Sequence, residues 1–231
     1  MQKRNKLFLL IIMVFAIFLV TGCKDKSTDA YKFKEEYESL NGTTNSNGKE
    51  IRTISISDDN PFIYATEDEI VEKINNKETF VVYFGFASCP WCRSVLETLV
   101  STAASTGIKK IYYVDVLNIR DKYEMKDGSL VRTNNGTDGY NKLLTLLDSK
   151  LSEYTLNIDG KTINTNEKRI YAPNIVGIIN GEVNELETGI SPLQTDGYMD
   201  LTDEMIKDTK EAFKKVLEPV FVSLNSCDEA C

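Results

Sequence analysis

Four residues, Cys89-Pro90-Trp91-Cys92, constrain this chain more than anything else in it, because of what flanks them. Before them runs Phe80-Val81-Val82-Tyr83-Phe84-Gly85-Phe86, an apolar stretch of strand character. After them Val95, Leu96, Leu99 and Val100 recur at helical spacing. The pattern predicts a strand that delivers a C-x-x-C to the first turn of a helix. Unpaired N–H groups and the positive end of the helix dipole stabilise a thiolate there. A second cysteine one turn on is placed to resolve the mixed disulfide that such a thiolate forms. Pro90 suits the first helical turn, where its missing N–H costs nothing. Two plainer alternatives are half a zinc site and a pair of buried thiols. Zinc needs two further ligands, and the chain has no histidine. The other close pair, Cys227 and Cys231, sits among the last five residues. The flanking strand and helix favour thiol chemistry, with no metal and no cofactor expected.

The N-terminus bears on where that chemistry takes place. Lys3, Arg4 and Lys6 precede an uncharged apolar stretch, Leu7 to Val20, followed by Thr21-Gly22-Cys23. A helix over that stretch would span about 21 Å, short of a hydrocarbon core about 30 Å thick, but the length suits a secretory signal. Val20-Thr21-Gly22-Cys23 resembles a bacterial lipoprotein cleavage site. By that resemblance residues 1–22 are a signal peptide and Cys23 is the lipidated first residue of the mature protein. The alternative is a short N-terminal anchor with an incidental cysteine. Both put the bulk of the chain outside the cytoplasm, tethered to a membrane.

Setting Cys23 aside leaves two cysteine pairs, 89/92 and 227/231, and no odd thiol. Even counts in an exported domain imply disulfides, or a dithiol kept reduced by a dedicated donor. The chain carries a formal charge of −8, and the signal segment holds three of its cations and no acid. The mature part is therefore more acidic still, which argues against nucleic acid or anionic lipid as a ligand.

Lys24 to Glu50 is polar, with turn signals at Asn41-Gly42 and Asn47-Gly48, so residues 23–50 read as a lipidated, flexible tether. Tyr31, Phe33 and Tyr37 are compatible with a short helix within it. From residue 51 the pattern tightens into one domain, 51–226. Ile51, Ile54 and Ile56 mark a first strand, and Thr66-Glu67-Asp68-Glu69 has capping-box spacing before a helix carrying Ile70 and Ile74. The strand at 80–86, the cysteine helix to about Ala104 and a strand at Lys110–Val116 complete a β-α-β-α-β order, which implies parallel strands.

Residues 117–169 interrupt that rhythm with a Gly/Asn/Asp-rich loop, an amphipathic helix through Tyr140, Leu143, Leu144, Leu147 and Leu151, and a turn at Asn157–Lys161. Strand residues resume at Ile170, and Asn180-Gly181 predicts a hairpin. A last helix from Thr202 places Met205, Ile206, Thr209, Phe213, Val216 and Leu217 inward, and ends or kinks near Pro219.

Two motifs, Phe84-Gly85-Phe86-Ala87-Ser88-Cys89-Pro90-Trp91-Cys92 and Ala172-Pro173-Asn174 with Gly181-Glu182-Val183 behind it, carry a resemblance to the thioredoxin superfamily over roughly 51–222. With the lipoprotein signal, the chain is similar to extracytoplasmic thioredoxin-like lipoproteins, including those labelled bacteriocin-transport accessory proteins. The resemblance implies an α/β fold, a central mixed sheet flanked by helices, with a helical insertion before the cis-proline strand. It makes Cys89 the attacking thiol and Cys92 the resolving one. Pro90 and Trp91 would meet the substrate, Pro173 would be a cis-proline facing the cysteines, and the backbone of Ala172 would pair with an extended substrate segment. Taken alone, Pro173 is equally well a strand-edge proline. The chain departs from thioredoxin in the long stretch between Val116 and Ile170, in the Pro-Trp dipeptide, and in Tyr83, which stands where the family has a buried acid. Proton handling at Cys92 then needs another group or water.

Two function classes follow. One is a membrane-anchored thiol–disulfide oxidoreductase on the extracytoplasmic face, acting on cysteine-containing exported proteins or peptides and exchanging electrons with a membrane thiol–disulfide donor or acceptor. The other is a peptide-binding or transport accessory module in which Cys89–Cys92 is a structural disulfide. Cys227 and Cys231 form either a local disulfide in the C-terminal tail, 227–231, or a second relay.

Overall fold

A computed structural model describes residues 28–226. In chain order its elements are α1 (Asp29–Glu38), β1 (Phe62–Tyr64), α2 (Glu67–Asn75), β2 (Phe80–Gly85), α3 (Pro90–Thr106), β3 (Ile111–Asp115), β4 (Asp121–Lys126) and β5 (Ser129–Asn135). There follow α4 (Asp138–Leu147), a 3-10 turn at Asp148–Lys150, β6 (Ser152–Ile158), β7 (Lys161–Arg169), β8 (Asn174–Ile179), β9 (Glu182–Glu187) and α5 (Asp203–Ser226).

Every residue of β2 is buried, and this strand is the middle of a five-stranded mixed sheet ordered β1-β3-β2-β8-β9. β1 and β2 run parallel to β3, whereas β8 is antiparallel to both β2 and β9. Alternation along β2 divides the core. Val81 and Tyr83 face a cluster built with α1, α3 and α5, through Phe33, Tyr37, Leu96, Leu99, Phe213 and Leu217. Phe80, Val82 and Phe84 face a second cluster built with α2 and α4, through Ile70, Ile74, Tyr140, Leu143 and Leu147. The molecule is therefore an α/β protein with helices on both faces of a mixed sheet.

Local chemistry explains the elements that sequence reading located. The Thr66 hydroxyl accepts from the Glu69 N–H at 3.2 Å and the Glu69 carboxylate accepts from the Thr66 N–H at 2.7 Å, a reciprocal cap on α2. Asn180 and Gly181 both take positive φ, 51° and 76°, the geometry a two-residue turn between β8 and β9 demands. Gly177 lets α5 lie close to β8, since a Cβ there would stand 3.0 Å from the Val216 carbonyl.

Several expectations need correction. Residues 28–50 do not form a tether: α1 buries Phe33 and Tyr37 completely in the first cluster. Ile51, Ile54 and Ile56 are buried but form no strand. The Ile51 N–H donates to the Thr43 carbonyl, and the backbones of Ile54 and Ile56 are met by side chains instead. The Ile54 N–H donates to Asn41 Oδ1, Asn41 Nδ2 donates back to the Ile54 carbonyl, and the Ile56 N–H donates to Glu38. The first strand is the short β1, eleven residues beyond Ile51.

The Gly/Asn/Asp-rich loop expected within 117–169, through Asp127-Gly128, Asn134-Asn135-Gly136 and Asp138-Gly139, contains the hairpin β4–β5 and the start of α4, and the turn at Asn157–Lys161 joins the hairpin β6–β7. α4 belongs to the second core cluster, so the insertion supplies part of the body. Ile206 is 41% exposed, lying one position off the face that Met205, Thr209, Phe213 and Val216 present to the core. α5 runs through Pro219 to Ser226. Among the described residues no helix is long and apolar enough to cross a membrane.

Candidate functional site

β2 ends at Gly85, the chain turns through Phe86-Ala87-Ser88, and Cys89 becomes the N-cap of α3 with extended backbone (φ −73°, ψ 117°). Its sulfur takes the role a capping oxygen usually plays: the Cys92 N–H donates to Cys89 Sγ at 3.3 Å. The Cys89 N–H donates to the Phe86 carbonyl at 3.1 Å, and the Cys89 carbonyl accepts from Arg93 at 3.1 Å. Pro90 occupies the first turn. The Cys89 thiol donates to the Ala172 carbonyl at 3.3 Å, and the bond from Ala172 to Pro173 is cis. The structure thus brings Cys89, Cys92, Ala172 and Pro173 together. Cys23, Cys227 and Cys231 lie outside the described residues.

The two thiols have different surroundings. Cys92 is fully buried, and desolvation pushes its thiol well above the ordinary range, with the Cys89 sulfur adding to the rise. Cys89 is held below the ordinary thiol range. The Cys92 thiol donating to it is the largest cause; the N–H groups of Cys92 and Trp91 and the charge of Arg120 act in the same direction, and burial opposes them. One helix turn therefore carries a thiol poised to ionise and a thiol held protonated. Among the described residues no group of three or more His, Cys, Asp or Glu side chains is placed to hold a metal.

Pro90 and Trp91 fare differently from one another. A Cβ at Gly197 would lie 2.9 Å from the Pro90 ring, so the loop before α5 closes on Pro90. The same loop reaches α3 through Gln194, whose side chain accepts from Ser94 at 3.4 Å. Trp91 and Ala172 stand half-buried at the edge of the first core cluster.

Four residues around the cysteines escaped the sequence reading or received no role in it. Arg93, next to Cys92, is only 1% exposed, and its guanidinium meets no carboxylate. It donates to the carbonyls of Arg52, Tyr37 and Ala87 and to Asn41 Oδ1, at 2.6–3.1 Å. It thereby ties the N-terminal segment to the loop that presents Cys89.

Arg120, from the start of the insertion, lies 5.0 Å above the Phe86 ring. Its position is fixed by a neck in which Arg169 donates to the Asp121 carbonyl at 2.8 Å, and Tyr140 donates to the Asp121 carboxylate at 3.1 Å. Tyr83 and Tyr37 reach beneath Cys92 with fully buried rings. For the arginines the signal was a cation inside otherwise apolar or turn-rich sequence, which spacing alone does not connect to the cysteines.

No family model matches the chain, and no curated protein matches it.

Proposed function

We propose that this protein is a thiol–disulfide oxidoreductase of thioredoxin-like fold. The observation that carries the reading is the asymmetry of the dithiol at the start of α3: Cys89 capped by N–H donors and depressed, Cys92 buried and raised. The Cys89 thiolate attacks one sulfur of a substrate disulfide. The substrate's other sulfur leaves with the electron pair and takes up a proton. Cys92 then gives up its proton and attacks Cys89 Sγ, the bond between Cys89 and the substrate breaks, and the departing substrate sulfur is protonated. Two electrons pass from protein to substrate, leaving Cys89–Cys92 oxidised and the substrate a dithiol. The reverse sequence oxidises a substrate dithiol.

The Ala172 carbonyl beside cis-Pro173, facing Cys89, supports recognition of an extended, cysteine-containing peptide segment that adds backbone hydrogen bonds there. The Val20–Cys23 pattern supports a lipid-anchored protein on the extracytoplasmic face of a bacterial membrane, drawing on a membrane thiol–disulfide partner. Mass spectrometry that found Cys23 unmodified behind an intact Met1 would sink the anchor.

The redox reading is tested in a chain carrying Cys23→Ser, Cys227→Ser and Cys231→Ser, so that only the central pair remains. Adding Cys92→Ser should trap a stable mixed disulfide at Cys89 with an oxidised peptide, and thiolate absorbance should place Cys89 below the free-thiol value of about 8.5. A Cys89 that exchanges no faster than an unfolded thiol would leave a structural cysteine pair.

A further inference from the structure

Tyr83 and Tyr37 present a problem that the redox reading does not solve by itself. Both rings are fully buried, and neither hydroxyl makes a hydrogen bond of good geometry; each is left with only the neighbouring tyrosine hydroxyls and the Cys92 thiol to turn to. A buried hydroxyl left unsatisfied costs about 1–3 kcal/mol, and phenylalanine would fill the same space without that cost. Three other buried side-chain atoms lack partners, but all belong to groups otherwise engaged. Arg169 Nε lies 3.8 Å from Asp121 Oδ1, the other oxygen of the carboxylate that carries Oδ2, and the guanidinium of Arg52 donates to the Met199 carbonyl. The hydroxyl of Tyr83 faces only the Tyr37 hydroxyl and the Cys92 thiol.

Their placement is built in. Tyr83 and Gly85 share a face of β2, and a Cβ at position 85 would lie 2.7 Å from the Tyr83 hydroxyl oxygen. Glycine therefore lets the Tyr83 ring fold along the strand toward the start of α3. Tyr37 arrives from α1, where Arg93 grips its carbonyl at 2.8 Å. A third tyrosine, Tyr113, stacks on Tyr83 with ring centroids 5.9 Å apart, but its hydroxyl donates to Glu36 at 2.9 Å and is spoken for. The groups facing the Cys92 sulfur are Cys89 from its own helix, Tyr83 from β2 and Tyr37 from α1.

Resting on the thiol–disulfide reading, we propose that the Tyr83 hydroxyl is a preorganised donor for the Cys92 thiolate and that Tyr37 is a positioning residue behind it. In the reduced resting state Cys92 is a neutral thiol and the Tyr83 hydroxyl stands beside it without a hydrogen bond of good geometry. During resolution the Cys92 proton passes to the departing substrate sulfur, while Cys92 Sγ forms its bond to Cys89 Sγ as the bond from Cys89 to the substrate breaks. Charge gathers on Cys92 in that step, at a fully buried position. A donor already aimed at the place where charge develops needs no reorganisation when it arrives. This role does not require tyrosine to act as a base. Burial and the neighbouring Cys92 sulfur hold the Tyr83 hydroxyl protonated, which suits a donor. Tyr83 thus serves the resolving thiol from the position where the related fold keeps an acid.

The full-length chain in detergent, with Cys23, Cys227 and Cys231 replaced by Ser, serves for both parts of the test. With Cys89→Ser added, Cys92 is the sole thiol, and its iodoacetamide alkylation is followed against pH. Tyr83→Phe should slow alkylation about tenfold near neutral pH, the scale of one hydrogen bond to a charged group. Tyr37→Phe should slow it less, and Tyr113→Phe not at all. With both cysteines present, Tyr83→Phe should slow release of a preformed Cys89 mixed disulfide by a similar factor, and the melting temperature of the reduced protein should hold or rise.

Unchanged Cys92 alkylation in Tyr83→Phe would overturn the proposal. So would a fall in melting temperature with Tyr113→Phe slowing alkylation equally, since the hydroxyls would then be structural. If Cys89 forms no mixed disulfide at all, the redox reading fails instead, and the alkylation series still decides whether Tyr83 addresses Cys92.

Discussion

The two faces of β2 are built from neighbouring residues and spend their polarity in opposite ways. On the α2/α4 face Phe80, Val82 and Phe84 meet Ile70, Ile74, Leu143 and Leu147, and the hydroxyl of its buried tyrosine, Tyr140, is bonded to Asp121. On the α1/α3/α5 face Tyr83 and Tyr37 leave two hydroxyls without a hydrogen bond of good geometry beside a buried thiol, and a nearly buried Arg93 is held by carbonyls alone. The first face is what a sheet needs in order to bury area. The second carries polar groups with poor hydrogen bonds beside a thiol, which is what the proposed role of Tyr83 would use. The contrast teaches that unsatisfied polarity in a core can mark chemistry even where every neighbour is apolar.

The largest expected effects come from one deletion on each face. Phe33→Ala and Phe84→Ala both empty fully buried aromatic sites and should each cost about 3–5 kcal/mol of unfolding free energy, read by urea denaturation. Below the unfolding transition the two should part. Phe33 packs on Tyr37 with ring centroids 4.6 Å apart, so its removal should alter the alkylation profile of Cys92, whereas Phe84→Ala should leave that profile in place. Equal effects on Cys92 would break the division of labour between the faces. A cost below about 1 kcal/mol for Phe33→Ala would return α1 to the status of an attachment.

The same contrast explains what the sequence made legible. β2, the start of α3, the capping box at Thr66 and Glu69 and the turn at Asn180-Gly181 were readable because each is set by local chemistry. The hairpins β4–β5 and β6–β7 were not, although Asp127-Gly128 and Asp159-Gly160 take the same positive-φ pair as Asn180-Gly181. Their strands are largely exposed, so no apolar alternation accompanies the turn.

The helix of α1 was suggested by Tyr31, Phe33 and Tyr37, but its place in the core was hidden for a related reason. Phe33 and Tyr37 are its only fully buried residues, and two aromatics in a polar stretch do not announce a core. Ile51, Ile54 and Ile56 announced burial correctly, but Ile51 bonds to the Thr43 carbonyl and Ile54 and Ile56 to the side chains of Asn41 and Glu38, which no pattern of apolar residues reveals. At the site, the cysteine pair and Ala172-Pro173 were legible as motifs. Arg120 and Tyr37 come from distant segments, as do the partners of Arg93, so their roles needed the fold.

The smallest expected effect tests whether the second face has any influence on the thiols. Phe86 and Ala172 pack against both core clusters, and Arg120 reaches over Phe86 from the neck of the insertion, which otherwise serves the α2/α4 side. Burial and the charge of Arg169 lower the pKa of Arg120, and the guanidinium in turn helps hold the Cys89 thiol down. Arg120 makes the least of the contributions to Cys89, behind the Cys92 thiol and the N–H groups of Cys92 and Trp91. Arg120→Gln should therefore raise the thiol pKa modestly and slow Cys89 alkylation about two- to threefold near neutral pH, with Arg120→Lys restoring part of the rate.

The sign for stability follows from linkage. A thiol whose folded pKa is lowered favours the folded state above the unfolded value, and that contribution is lost as pH falls through the folded pKa. Arg120→Gln should then reduce the gain in stability of the reduced protein between pH 6 and pH 9, while Cys89→Ser should remove the Cys89 share altogether. If Arg120→Gln changes neither the alkylation rate nor that gain, the insertion shapes the core but leaves the thiols to the other face. If it matches the effect of Tyr83→Phe on Cys92, the separation of the faces is wrong, because a charge anchored on one of them would then govern the chemistry of the other.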